Sequence, residues 1–271
     1  MKKDGTLTAF STDVYLNSGP YCGCTLNILG AMCGKLFKLY KMPNIEFNGY
    51  PTYKNLPVAG AMRGFGSPQL FASLELLVDK AAKVTGVDSC ELRAKNIVDP
   101  YDIDPISNLS LGNAAINKCL IKGAEAIDWN RLKKRPKEDS EYYYGHGVAV
   151  SLHGNGIAPF APDLSVMTLA LNEDGIAIYS TRLCDHGGGT NTLLKKIVSE
   201  IVDIDRDLIK LITTDTYCTP YDFIAGASRN TWVGGNCAIK LCEHIKNELL
   251  ETASMLLEVP QNTIIMENGF L

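Results

Sequence analysis

The chain has 271 residues, 46% of them hydrophobic and 21% charged, enough to bury a sizeable core as one large domain or two ordinary ones. A net charge of −4, with no block of basic residues, argues against a general nucleic-acid surface or a face for acidic membranes. Nine cysteines without a secretory signal point to reduced thiols in a cytoplasm, and no apolar run approaches the ~20 residues of a membrane span.

In chain order, Lys2-Lys3-Asp4-Gly5 reads as a hairpin turn, followed at once by a strand from Thr6 to Tyr15. A turn at the very start and a strand at Ile264-Ile265 that stops at Glu267-Asn268-Gly269 lead us to expect a fragment or a split subunit. Cys22-Gly23-Cys24 is the only close cysteine pair, and with no second pair at zinc-like spacing it is a weak metal candidate. Gly23 to Tyr40 is rich in Leu, Met, Ile and Lys and predicts a helix stopped by Pro43, with a short strand over Ile45 to Tyr50.

The most informative stretch is Ala59-Gly60-Ala61-Met62-Arg63-Gly64-Phe65-Gly66-Ser67-Pro68-Gln69. Ser67 is a good N-cap and Pro68 a good first helical residue, so a glycine-rich loop ends there and a helix begins. Glycines let the backbone come close to a ligand, helix N-termini attract anions, and an arginine grips an oxyanion with paired hydrogen bonds. Phe65 offers a flat face to a planar ring. The plain alternative is a tight turn, with Arg63 in a surface ion pair and Phe65 in the core.

Pro68 to about Val84 predicts a helix that buries Leu70, Leu74, Leu77, Val78 and Ala81 at the 3.6-residue period and ends at Gly86. Asp88 and Glu91 form a capping-box-like pair for a short helix. Residues 99–112 read as loop, Asn113 as the cap of a helix to about Ile127, and Trp129 and Leu132 as core. Lys133 to Ser140 is the most polar stretch and the candidate linker, dividing the chain into 1–136 and 140–271.

The second half opens with a strand from about Tyr144 to His153 and a turn at Gly154-Asn155-Gly156. A hairpin follows: Ser165 to Leu171, a turn at Glu173-Asp174-Gly175, and Ile176 to Arg182. Asp185-His186-Gly187-Gly188-Gly189-Thr190 is a second glycine loop entering a helix from Asn191 to Val202, and Leu208 to Thr213 is a strand. Ala227-Ser228 starts a long helix to about Leu257, interrupted in character by Gly234-Gly235 and ended by Pro260. Three loops thus feed helix N-termini, around Arg63, Gly187 and Ser228, each offering backbone donors and a positive dipole end to an anionic ligand.

Ala61-Met62-Arg63-Gly64-Phe65-Gly66-x-Pro68-Gln69, then Phe71-Ala72 and Glu75, then Asp88, Glu91-Leu92-Arg93 and Asn96, resembles the molybdenum-binding subunit of the xanthine dehydrogenase/aldehyde oxidase family. Tyr40-Lys41-Met42-Pro43-Asn44, Gly145-x-Gly147 with His153-Gly154-x-Gly156, and Thr213-x-Asp215-Thr216 through Ala227-Ser228-Arg229 to Gly235 are also similar to family phrases. The resemblance implies an α+β chain of two αβ subdomains with mixed sheets packed against helices. It implies molybdopterin, or its cytosine dinucleotide, carrying Mo with a sulfido or selenido ligand. Iron–sulfur clusters and FAD would lie on other domains or subunits, beside the remaining Mo-binding segments.

On that resemblance Arg63 and Gly64 would hold a pterin or Mo-ligand oxygen, and Phe65 would stack on the substrate, an N-heterocycle or aldehyde. Ala225, Gly226, Ala227, Ser228, Arg229 and Asn230 would line the pyrophosphate end through their backbone N–H groups. His186, Gly187 and Gly188 would face the cofactor, with Gly188 standing where the family carries glutamine. No direct metal ligand is implied. The family's catalytic base is a glutamate in a Gly-x-Gly-Glu phrase that this sequence lacks, and Glu46, Glu75 and Glu91 read better as surface or capping carboxylates. Ala31 stands where purine-hydroxylating members tend to carry an arginine, which counts against xanthine as substrate. Two other readings stand beside this one. One is a scaffold or assembly subunit derived from the family. The other is a hydrolase using Ser228 with His146, His153 or His186, although Gly226-Ala227-Ser228-Arg229-Asn230 is not a nucleophile elbow.

Overall fold

A computed structural model describes residues 1–134, 142–157 and 161–271. The chain forms two compact units, Met1–His153 and Gly154–Leu271.

The first unit begins with a parallel strand pair. Strand β1 (Phe10–Gly19) pairs in register with β2 (Ile45–Tyr53), and helix α1 (Thr25–Leu36) connects them. Alternation along both strands decides their two faces. Phe10, Val14, Leu16, Ile45 and Phe47 pack on the core. The opposite face carries partnered polar and aromatic residues: Ser11 donates to Glu46, Asn48 to Asp13, and Tyr15 stacks on Tyr50 at 4.8 Å. Helix α1 buries Ile28, Leu29, Met32 and Leu36.

Helix α2 (Ser67–Thr85) follows the glycine loop and ends at Gly86 in the left-handed conformation. It buries Leu70, Phe71, Leu74, Glu75, Val78 and Ala82. The stripe is rotated slightly from the expected one, leaving Leu77 exposed and bringing in Phe71 and Glu75. The side chain of Asp88 caps α3 (Ser89–Asn96), accepting from the amides of Cys90 and Glu91. Helix α4 (Ile116–Ala126) is preceded by Ala115, not capped by Asn113. In α5 (Trp129–Lys133) the Trp129 ring is buried and Leu132 half-buried.

Glu75 corrects the reading of that carboxylate as a surface or capping group. It is 6% exposed and joins a buried polar cluster. Its Oε1 accepts from the Tyr40 hydroxyl at 2.6 Å, and its Oε2 accepts from Arg93 Nε at 2.7 Å and the Val150 amide at 2.9 Å. Arg93, wholly buried, also reaches Asp79 at 2.8 Å. Asn96 ties the N-terminal turn to α3 by accepting from the Leu7 amide and donating to the carbonyls of Gly5 and Leu92. Many of the residues that carry the family resemblance are therefore structural.

The candidate linker lies mostly at 135–141, outside the described residues. Residues 142–153 belong to the first compact unit. The strand expected from Tyr144 to His153 has no ladder partner among the described residues and is extended coil.

The second unit holds a three-stranded mixed sheet. Strands β3 (Met167–Leu171) and β4 (Ala177–Thr181) form the expected antiparallel hairpin, and β5 (Ile209–Thr213) pairs parallel with β4. Helix α6 (Thr190–Val202) makes the β4–β5 connection and buries Leu194, Val198 and Val202. Helix α7 (Gly235–Leu257) contributes Ala238 and Cys242 to the same core. A π-turn over Asn230–Gly234 precedes α7. There a Cβ on Gly234 would meet Leu183 Cδ1 at 2.3 Å, so glycine permits the close approach. Ile264-Ile265 is not a strand; the segment ends in an isolated bridge between Glu267 and Phe270.

Candidate functional site

The Arg63 loop is built by three consecutive residues with positive φ: Gly64 at 96°, Phe65 at 44° and Gly66 at 89°. Such backbone is easy for glycine and strained for phenylalanine, and strain of this kind concentrates at functional sites. The glycines are also required by space. A Cβ on Gly64 would meet Pro68 Cδ at 2.7 Å, and one on Gly66 would meet Met32 Cγ at 2.4 Å. Gly66, not Ser67, occupies the cap position of α2, and Pro68 lies in its first turn as expected.

Lys35 holds this loop from beneath. Its ammonium donates to the carbonyls of Gly64 at 2.9 Å and Phe65 at 2.8 Å. Lys35 is 8% exposed, and burial pushes its pKa down. The Gly64 carbonyl also accepts from the Ser67 amide at 3.0 Å. Burial, then the Lys35 charge, lower the His153 imidazole pKa against the opposing effect of the Gly64 backbone. The amides of Arg63 and Gly64 have no acceptor among the described residues. The Arg63 side chain is exposed and makes no ion pair among them. Phe65 is half-buried and packs on the first core. The plain reading is thus met for the ring and not for the guanidinium. Beside the loop lies a cavity of about 410 Å³ lined by Gly64, Ser67, Phe71, Glu75, Val150 and His153, among others.

In the second unit the loops around Gly187 and Asn230 lie together. Asn230 Nδ2 donates at 3.3 Å to the Cys184 carbonyl and to Thr190 Oγ1. Asp185 changes the meaning of the glycine loop. Its carboxylate accepts from the amides of Gly187 at 2.8 Å and Gly189 at 3.1 Å. Desolvation raises its pKa, but the amides of Gly187, Gly189, Asn191 and Gly188 outweigh that and hold it below the usual range. The donors expected to face a ligand therefore face a carboxylate of the same chain. His186 is exposed, its Nε2 lying 3.0 Å from Cys184 Sγ.

At the head of the long helix, Ala227 and Ser228 have φ of 52° and 53°, while the Arg229 amide donates to the Gly226 carbonyl at 3.2 Å. A turn with two non-glycine residues at positive φ stores strain of about 1–2 kcal/mol per residue. The expected helix start at Ala227 is therefore a tight turn, and the helical winding begins at Asn230. The amides of Ala225, Gly226, Ala227 and Ser228 have no acceptor among the described residues. Arg229 has both side chain and amide engaged. It is 1% exposed and donates to Asp163 at 2.7 Å, Asp222 at 2.6 Å and the Ile224 carbonyl at 2.8 Å, and also to the Leu164 carbonyl.

The hydrolase reading finds no support in these contacts. Ser228 has no histidine partner among the described residues, His146 meets Trp129 edge-on at 5.0 Å, and His186 meets Cys184. Nor do three or more His, Cys, Asp or Glu side chains gather as a metal cluster among the described residues.

Two models, each described as a molybdopterin cofactor-binding domain, match the chain, one over residues 1–97 and one over 122–271. The chain belongs to the molybdopterin cofactor-binding domain family. The xanthine dehydrogenase molybdenum-binding subunit of Escherichia coli O157:H7 is 28% identical over all of this chain and 36% of that protein. Aldehyde oxidoreductase of Megalodesulfovibrio gigas is 30% identical, over 90% of this chain and 27% of that one. The crystal structure of the aldehyde oxidoreductase from Desulfovibrio desulfuricans superposes with a TM-score of 0.78 at 26% identity, covering 89% of this chain and 27% of that chain. The architecture is accordingly the α+β fold of these relatives, and this chain spans about a third of their length or less. No helix among the described residues is long and apolar enough to cross a membrane.

The residues present fit a molybdopterin. Unpartnered amides at Arg63, Gly64, Ala227 and Ser228, and an unpaired exposed Arg63, suit an anionic pterin phosphate or pyrophosphate. A Cβ at Gly187 or Gly188 would meet nothing within 4 Å, so the second loop has an open outer side. Lys35 and Asp185, which shape the two loops, escaped the sequence reading. Lys35 falls on the buried side of an apolar helix, and Asp185 sits two residues before the first glycine, where an Asx turn is the signal to look for.

Proposed function

We propose that this chain supplies part of the molybdopterin-binding catalytic region of a molybdenum hydroxylase, an oxidoreductase that hydroxylates an N-heterocycle or an aldehyde with water as oxygen source. The observation that carries the proposal is the Arg63 loop: three positive-φ residues, carbonyls held by Lys35, and amides without acceptors among the described residues beside an exposed arginine at the start of a 19-residue helix. When bound, the cofactor supplies the redox centre and the oxygen transfer.

The chain's own residues bind and orient. The guanidinium of Arg63 and the amides of Arg63 and Gly64 hold an oxyanion. The amides of Ala225 to Ser228 take the pyrophosphate end of the pterin or of its cytosine dinucleotide. Arg229 keeps that turn in shape through Asp163 and Asp222. Asn230 orients the turn against the Gly187 loop, and His186, Gly187 and Gly188 face the cofactor with the outer side of that loop. Phe65 presents its exposed edge to the substrate ring. The base, the remaining Mo-binding segments, the iron–sulfur clusters and FAD reside in other segments or subunits, and the assembly works in the cytoplasm. The family subdomains divide at the polar stretch, 1–136 and 140–271.

One observation favours a second reading, a family-derived scaffold without cofactor: Asp185 already fills the amide nest of the second loop. Molybdenum and pterin content decides between them, measured on the chain purified alone and on the complete assembly. Cofactor in the assembly supports the hydroxylase, and its absence from both samples supports the scaffold. Within a loaded assembly, Arg63→Ala is expected to lower retained pterin at least tenfold, the scale of one lost charge-assisted contact. Unchanged pterin retention removes the role given to Arg63.

A further inference from the structure

The Gly64 carbonyl is the meeting point of two separate pieces of the first unit. Lys35 arrives from α1 and the Ser67 amide from the start of α2. The Lys35 ammonium takes the neighbouring Phe65 carbonyl as well.

Several features make this arrangement unusual. Lys35 is more than nine-tenths buried, yet no carboxylate pairs with it among the described residues. A buried charge normally has a paired carboxylate or goes neutral, because desolvation is costly. Here two carbonyl dipoles stand in its place. Those carbonyls belong to Gly64 and Phe65, two members of the positive-φ run. A phenylalanine at φ 44° persists only where its surroundings over-determine it. Packing alone would not fix which way the peptide planes face, whereas a cation beneath the loop does. It fixes the two peptide planes that carry those oxygens, whose N–H groups belong to Phe65, which donates to the Met62 carbonyl, and to Gly66, which has no acceptor among the described residues.

From this geometry we infer that Lys35 is a positioning residue, clamping the Gly64 and Phe65 carbonyls so that the positive-φ loop that carries Arg63 is preset for a ligand. The inference rests on the cofactor role proposed above for what the loop holds, but not for whether the clamp exists. Preorganised donors bind without a further ordering cost, so the clamp acts on cofactor retention, not on the chemical step. The ammonium adds a positive potential beneath the same donors. Lys35 does not touch the ligand.

Hydrogen exchange read by mass spectrometry on the complete assembly tests the clamp directly, with and without loaded cofactor. Lys35→Met keeps the length and apolar stem of the side chain and removes the donors. In that variant, peptides covering residues 59–70 are expected to exchange roughly tenfold faster, while peptides from α3 and from the second unit keep their wild-type rates. Pterin content is expected to fall several-fold with the fold intact. Wild-type exchange over 59–70 in a folded Lys35→Met protein overturns the inference. Faster exchange spread evenly over the first unit also overturns it, since that marks a packing residue and not a clamp. Should Lys35→Met fail to fold, Lys35→Gln decides the matter on the same peptides. Local loosening supports the clamp, and unchanged exchange sinks it. A wild-type assembly free of molybdopterin removes the cofactor role but leaves the exchange result to judge the clamp by itself.

Discussion

The two units solve the same problem with opposite polarity. Each must hold a glycine-rich loop in backbone angles that most residues avoid, just before a helix. The first unit does it with a cation: Lys35 donates to two loop carbonyls, and the amides of Arg63 and Gly64 have no acceptor among the described residues. The second does it with an anion: Asp185 accepts from the amides of Gly187 and Gly189, so that those donors are already satisfied. A glycine loop at a helix N-terminus is therefore not one kind of site. What sits beneath it decides whether it receives an anion or already carries one.

Deeper in, the units are alike. Each is braced by a buried arginine with two carboxylates, Arg93 with Glu75 and Asp79, and Arg229 with Asp163 and Asp222. The largest expected effects lie here. Replacing one partner of a buried, hydrogen-bonded pair leaves an uncompensated charge and costs about 3–5 kcal/mol. Arg93→Met is expected to destabilise the first unit by that order and Arg229→Met the second. Urea melts followed by a probe in each unit, Trp129 for the first and Trp232 for the second, would show whether the two losses are local. Each substitution strands one buried carboxylate, Glu75 in the first unit and Asp222 in the second, while Asp79 and Asp163 are partly exposed. Equal, global loss from both substitutions would mean that the units unfold as one.

The extent to which this was legible in the sequence follows the range of each interaction. Helix α2 was readable at both ends because Pro68 and Gly86 act locally, and the β3–β4 hairpin because Glu173-Asp174-Gly175 fixes its turn. The Asp88 cap was readable for the same reason. The strand expected at Tyr144 to His153 was not realised, since alternation proposes a strand but only a neighbour's backbone makes one. Glu75 was misread because its partners are far away in sequence, Tyr40 at 35 residues and Arg93 at 18. In the loops, the residue types pointed to anion binding, and the motif located them. How the Gly64 and Phe65 carbonyls are held depended on Lys35, 29 residues before Gly64, and no local pattern reports that.

Asp185 offers the next effect and the sharpest test of opposite polarity. Its folded-state pKa is depressed, so its contribution to stability is present above its unfolded pKa of about 3.9 and is lost as pH falls through the lower folded value. Asp185→Asn should therefore flatten the acid limb of the second unit's stability curve and leave neutral-pH stability only modestly reduced, because Asn retains one acceptor for the nest. The same substitution removes the resident negative charge, so pyrophosphate should bind the variant more tightly than the wild type, by calorimetry at low salt. An unchanged acid limb would show that the carboxylate is incidental to the loop, and the comparison between units would lose its second half.

The smallest effect concerns His153, and its sign follows from which state binds the proton. Burial and the nearby Lys35 charge lower the folded-state pKa of the imidazole, despite the opposing effect of the Gly64 backbone. The unfolded chain, with a pKa of about 6.5, then takes up a proton at a pH where the folded chain does not. Stability therefore falls as pH drops below about 6.5 and levels off below the folded pKa, while above 6.5 this residue contributes no slope. Lys35 shapes the curve through its charge, so Lys35→Met should raise the His153 pKa and shrink the slope even though it loosens the loop. A cation that merely packed would weaken the fold at every pH alike. Titration of the His153 ring signals in the wild type and in Lys35→Met separates these cases. A His153 pKa that does not rise on removing the ammonium would mean that the imidazole does not sense the Lys35 charge.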